Sequence, residues 1–173
     1  MNGQLVSSGE GYYNMFGHLG FSYVGLIYLL MLFIPNIIWS NNQPVASNDI
    51  QENKILLLFE RVGQMFCTFS VLIFSDFNIQ QLSIWSLWLI VSFLLMLVYE
   101  ICWIRYFRNK HTEENFYSSF CYIPIPLASL PVIAFLLLGI YGKVVFLIVS
   151  TIILGIGHMG IHIQHLKGIK KSY

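Results

Sequence analysis

Residues 155 to 171 read GIGHMGIHIQHLKGIKK, and His158, His162 and His165 recur there at i, i+4 and i+7. That spacing puts all three imidazoles on one face of a helix. Two histidines a turn apart can ligate one metal, so His158 and His162 are candidate ligands for a divalent ion such as zinc. Glu60 or Glu100 would complete the set, and the metal would activate water. The stretch lacks the glutamate of a zincin HExxH motif, and HxxxH alone is a weak signature. The same imidazoles suit proton handling or ligand contact, because histidine titrates near neutral pH. The bland alternative is hydrogen bonding to neighbouring helices, with His165 closing the helix end.

Other polar side chains fall inside apolar sequence: Asn36, Glu60, Arg61, Gln64 and Glu100. Charges within a spanning helix are expensive, face the bundle interior and pair with each other. Glu60, Arg61 and Glu100 therefore read either as part of a site for a polar ligand or as a clasp, Arg61 to Glu100, between two helices.

The elements that must carry these groups are five apolar runs, at about 20–40, 55–75, 82–104, 121–141 and 144–164. Each has about 20 residues, enough to cross a hydrocarbon core of about 30 Å as a helix. In lipid the backbone must satisfy its own hydrogen bonds, so isolated strands are excluded. The expected fold is all-α: a polytopic integral membrane protein, a bundle of five transmembrane helices forming a single domain over residues 1–173. Composition agrees, with 57% hydrophobic and 10% charged residues against about 25% charged in a soluble domain. A net charge of +1 offers no basic face for nucleic acid. Cys67, Cys102 and Cys121 are scattered, with no CxxC pair, and read as small apolar packing residues. Residues 1–18 contain no Lys or Arg, which predicts that the first span is its own targeting signal rather than a cleaved one.

Five spans place Lys54, Arg105, Arg108, Lys110, Lys167, Lys170 and Lys171 on one face and only Lys143 on the other. The positive-inside rule then sets the N-terminus outside and the C-terminus in the cytoplasm, in the plasma membrane. Trp39, Trp85 and Trp103 are expected as interfacial anchors, and the aromatic stretch 9–19, with His18, in the outer interface. Lys167, Lys170 and Lys171 read as inner-leaflet anchors, and Arg105, five residues beyond Glu100, is within snorkelling reach of headgroup phosphates.

Counting along each helix gives the depth of its polar groups. His162 and Glu100 lie 18 residues into their spans, about 27 Å from the outer face, and Asn36 lies 16 residues in, about 24 Å down. Glu60 and Arg61 are about 8 Å from the inner face, with Gln64 and His158 about one turn deeper. The groups thus share one layer near the cytoplasm. Pro35, Pro124 and Pro126 interrupt helices on that side, with Pro131 deeper, which predicts a wedge-shaped opening. Gly155, Gly157 and Gly160 predict close packing of the last helix.

In size and span number the chain resembles the small membrane-bound methyltransferases of the isoprenylcysteine type, without their cofactor-binding motif. In its late HxxxH it resembles the membrane-embedded zinc hydrolases of the ceramidase and adiponectin-receptor kind, which have more spans. Neither likeness assigns a family. The leading expectation is an intramembrane binding protein, a transport component, whose cytoplasm-facing site takes a small polar or amphiphilic ligand or an ion. Its ligand-binding residues would be Asn36, Glu60, Arg61, Gln64, Glu100, His158 and His162. Such a small chain would oligomerise or join a partner membrane subunit to transport. The alternatives are a membrane-embedded enzyme, acting on a lipid or prenyl substrate at the inner leaflet, and a structural or regulatory subunit.

Overall fold

The computed structural model describes residues 16–43, 51–120 and 122–171. Residues 1–15, Cys121 and the side chains of Lys170 and Lys171 fall outside the described set, and with them most of the aromatic stretch and two of the expected anchors.

The protein is an all-α membrane bundle. Helices α1 (Tyr23–Ser40), α2 (Lys54–Ile73), α3 (Leu87–Arg108), α5 (Pro126–Gly142) and α6 (Val145–Lys171) alternate in direction, and a short α4 (Glu113–Phe116) interrupts the loop after α3. Four helical segments are long and apolar enough to cross a membrane: Tyr23–Ser40, Lys54–Ile73, Ile84–Arg108 and Val145–Ile169. At 17 residues, α5 lies at the short end of the spanning range. Among the described residues there is no strand, only isolated bridges at Leu19–Phe74 and Phe120–Ile123. Ile37, Leu58, Phe66, Leu94, Ile101 and Ile152 stand exposed around the bundle, as side chains do where the solvent is lipid.

Two pairings organise the interior. The antiparallel pair α2–α6 comes together because glycines remove the side chains between them. A Cβ on Gly63 would overlap the Leu154 backbone, and one on Gly157 the backbone of Leu56 and Glu60. Gly160 abuts the Leu56 side chain, whereas Gly155 turns to Val132 on α5. The Cys67 thiol closes this seam against Ser150 Oγ at 3.5 Å and Thr151 Oγ1 at 3.2 Å. The second pairing, α3–α5, is tied to α1 by a polar relay through the core: Tyr28 Oη donates to Ser92 Oγ at 3.0 Å, and Ser92 Oγ donates to the Ala134 carbonyl at 2.7 Å. Small residues and hydroxyl hydrogen bonds hold helices together where lipid supplies no hydrophobic drive.

At one end lie residues 16–22, the turns between α2 and α3, and the junction before α6. His18 Nδ1 meets Asp76 Oδ1 at 2.8 Å there, and Trp85 donates its indole N–H to the Tyr141 carbonyl at 2.9 Å while Lys143 sits over its ring. At the other, basic end lie Lys54, Arg105, Arg108 and Lys110. There the 109–125 loop folds back over the bundle. Thr112 caps α4, Phe116 buries itself beside Trp39, Trp103 and Tyr106, and Arg105 fastens the far side of the loop. Its guanidinium donates to the carbonyls of Ser118 and Ser119, both at 3.2 Å, and lies over the Phe120 ring.

Three expectations are corrected by this end. The fourth span begins at Pro126 rather than 121, because Tyr122 and Ile125 take left-handed backbone conformations and Pro126 then starts the helix. Trp103, only 2% exposed, is a core residue and not an interfacial anchor. Arg105 is spent on loop carbonyls instead of headgroup phosphates.

Candidate functional site

A cavity of about 510 Å³ opens within the basic half of the bundle. All five long helices and the loop around α4 contribute to it. α1 brings Leu29, Leu32, Phe33, Asn36 and Trp39, one face at helical spacing, and α2 brings Glu60, Gln64, Cys67 and Thr68. α3 adds Tyr99 and Trp103; α5 adds Leu127, Pro131, Val132 and Phe135; α6 adds Leu154, His158, Ile161, His162 and His165. Glu113, Phe116 and Tyr117 close it from the loop, with Glu52 and Gln43 at its rim. Pro131 has no N–H to offer the Leu127 carbonyl, and both residues line the space.

The walls change character along the bundle axis. Toward the basic end they carry carboxylates, imidazoles and the Asn36 amide; deeper, they are mostly leucine, valine and phenylalanine, with Cys67 and Thr68 on α2. Each polar group is held in place. Glu60 Oε1 meets His158 Nδ1 at 2.5 Å, and Glu52 Oε1 meets His165 Nε2 at 3.0 Å, so α6 is joined by imidazole–carboxylate pairs to α2 and to the segment just before it. His162 lies between them, its ring 4.5 Å from that of His158 and stacked on Phe116. Its Nδ1 lies 3.2 Å from Tyr117 Oη. Burial first, then the Glu113 and Glu52 carboxylates, push the Tyr117 phenol upward. It therefore stays protonated at neutral pH, able to donate to Nδ1 and leave Nε2 as the N–H. Asn36 Nδ2 donates to Leu32 O and to Tyr99 Oη, each at 2.7 Å.

Of the residues expected to form a site, Asn36, Glu60, Gln64, His158 and His162 line this one cavity. Arg61 and Glu100 do not. Arg61 is exposed on the outer side of α2, in a shallow recess with Gln64, Met65, Thr68 and Phe69. Glu100 lies outside the cavity lining, with Oε1 buried and without a hydrogen-bond partner. No ion pair joins the two among the described residues, whose pairs are His18–Asp76, His158–Glu60 and His165–Glu52. The expected clasp is thus replaced by His–Glu pairing between α2 and α6. For the metal expectation, no group of three His, Cys, Asp or Glu side chains with ligating geometry occurs among the described residues, and Glu60 takes up His158 Nδ1.

Sequence reading missed the aromatic wall, Tyr99, Trp103, Phe116 and Tyr117, and the rim carboxylates Glu52 and Glu113. One signal was present. Thr112-Glu113-Glu114 is a capped, acidic helix start, and the aromatic pair Phe116-Tyr117 that follows it is unusual for a solvated loop. Gln64 and Thr68 line both the cavity and the outer recess, so the cavity's α2 wall is continuous with the surface that faces lipid.

Comparison with known proteins found no matching family model, no matching curated protein and no matching solved structure.

Proposed function

We propose that the protein is an intramembrane binding protein, acting in transport, whose cavity takes an amphiphilic small molecule. The observation that carries this is the two-toned cavity: about 510 Å³, within the range of ligand sites, polar at one end and apolar along its depth. The polar part of the ligand lies in the layer of Asn36, Glu60, His158 and His162. Its chain lies against Leu29, Leu32, Phe135 and Leu154. From His165 to Leu154 the wall runs about 16 Å at helical rise, room for a medium acyl or alkyl chain. The ligand enters from the bilayer past Gln64 and Thr68.

The orientation we propose has the basic end in the cytoplasm and the N-terminus outside, in the plasma membrane, from the distribution of Lys and Arg. The polar layer then lies at the inner leaflet. For transport the chain associates with a second copy or another membrane subunit.

Native mass spectrometry of protein released from lipid nanodiscs tests the binding reading. Wild type is expected to retain one amphiphile per chain, and a Val132→Trp variant, which fills the cavity from α5, to retain none. Equal retention by both would place the bound molecule on the outer surface and refute the reading.

A further inference from the structure

The polar end of the cavity has a sign. Among the described residues its lining includes the carboxylates Glu52, Glu60 and Glu113 and neither Lys nor Arg, although basic residues crowd the same end of the bundle. Arg61, the basic residue nearest in sequence to Glu60, points outward and is exposed. Arg105 is turned away onto the carbonyls of Ser118 and Ser119. The imidazoles do not reverse the balance: His158 and His165 each face a carboxylate.

A second observation comes from the aromatic side chains at the same level. Trp39, Trp103, Phe116 and Tyr117 all line the cavity and pack as one group. Ring centroids are 5.1 Å apart for Trp39–Phe116, 6.0 Å for Trp103–Phe116 and 5.1 Å for Phe116–Tyr117. Glu52 and Glu113 line the cavity together with these rings. Aromatic faces attract cations through the ring quadrupole, most strongly when the cation is desolvated. Nearby carboxylates add a Coulomb term of the same sign. A carboxylate, sulfate or phosphate head group would meet three carboxylates in a lining that holds no Lys or Arg among the described residues.

Resting on the amphiphile reading above, we infer that the ligand's head group is cationic, an amine or quaternary ammonium seated between the aromatic wall and the Glu52, Glu60 and Glu113 carboxylates. Its hydrocarbon part occupies the leucine- and phenylalanine-lined depth.

Probes of one chain length and three head groups test this: decyltrimethylammonium, decanol and decanoate, titrated against the protein in zwitterionic nanodiscs with the melting temperature as readout. The expected order is decyltrimethylammonium tightest, by about ten-fold or more over decanol, with decanoate weakest. The rim variant Glu52→Gln/Glu113→Gln should lose that cationic preference while still binding decanol. Glu113→Gln alone, a change in the loop, should lose part of it and guards against misfolding of the double variant. Equal affinity for the three probes, or a preference for decanoate, overturns the cationic head group and leaves amphiphile binding standing. A cationic preference unchanged in both variants also overturns it, since partition into the bilayer would then explain the order. Stabilisation by none of the probes overturns the amphiphile reading itself.

Discussion

His158 and Glu60 illustrate why two partly buried polar groups persist in an apolar helix pair. Each side chain is about a quarter exposed, 25% and 22%, and each satisfies the other at 2.5 Å. Removing one leaves the other partly desolvated, at a cost of about 1–3 kcal/mol. Arg61 and Glu100 make the opposite case, since no contact joins them. Double-mutant cycles on unfolding in mixed micelles should separate the pairs. His158/Glu60 should couple by about 1–2 kcal/mol, and Arg61/Glu100 by less than about 0.5 kcal/mol. Strong coupling in the second pair would restore the clasp and undo the geometry. The height of these residues was legible in the sequence, because helical rise converts residue number to depth. Their azimuth was not. Asn36, Glu60, His158 and His162 share both height and direction, whereas Arg61, one residue from Glu60, is turned about 100° away by helical geometry.

For the helices, the glycines decide more than the polar groups do. Gly157 lets the α6 backbone rest on α2 at Leu56 and Glu60, while a Cβ on Gly155 would meet only Val132 Cγ1, at 3.1 Å. Gly157→Val should therefore separate α2 from α6, break the His158–Glu60 contact and lower the yield of folded protein sharply. Gly155→Ala should be tolerated within about 1 kcal/mol. Denaturation midpoints and gel-filtration profiles of the two variants check this contrast; similar behaviour would mean that the seam is not set by Gly157. The tight packing of α6 was readable from glycine spacing in a spanning helix. The partner of each glycine was not, because it depends on the order of helices around the bundle. The start of α5 was misplaced for a local reason: apolar residues 121–125 continue the hydrophobic run, but left-handed backbone at Tyr122 and Ile125 keeps them out of the helix. The same loop hid Phe116, whose burial depends on a space left between α1 and α3.

Across the whole molecule, polarity is distributed by end. The basic end combines Lys and Arg on its outside with carboxylates, imidazoles and aromatic rings inside its cavity. Helical class followed from composition, since only helices can hold such apolar runs in lipid. A cavity does not follow from composition. It arises because α1 bears leucines and an asparagine on one face without glycines at its cavity-facing positions, and so stands off from α6 where α2 closes in. The central claim is that this space is a ligand site rather than a packing defect. A density map of the protein in a bilayer tests it most directly. The account predicts elongated non-protein density with one end at Glu60 and His158 and the other beside Leu29 and Phe135. A cavity collapsed onto its own side chains, with His162, Glu60 and Asn36 directed to unrelated neighbours, would contradict it.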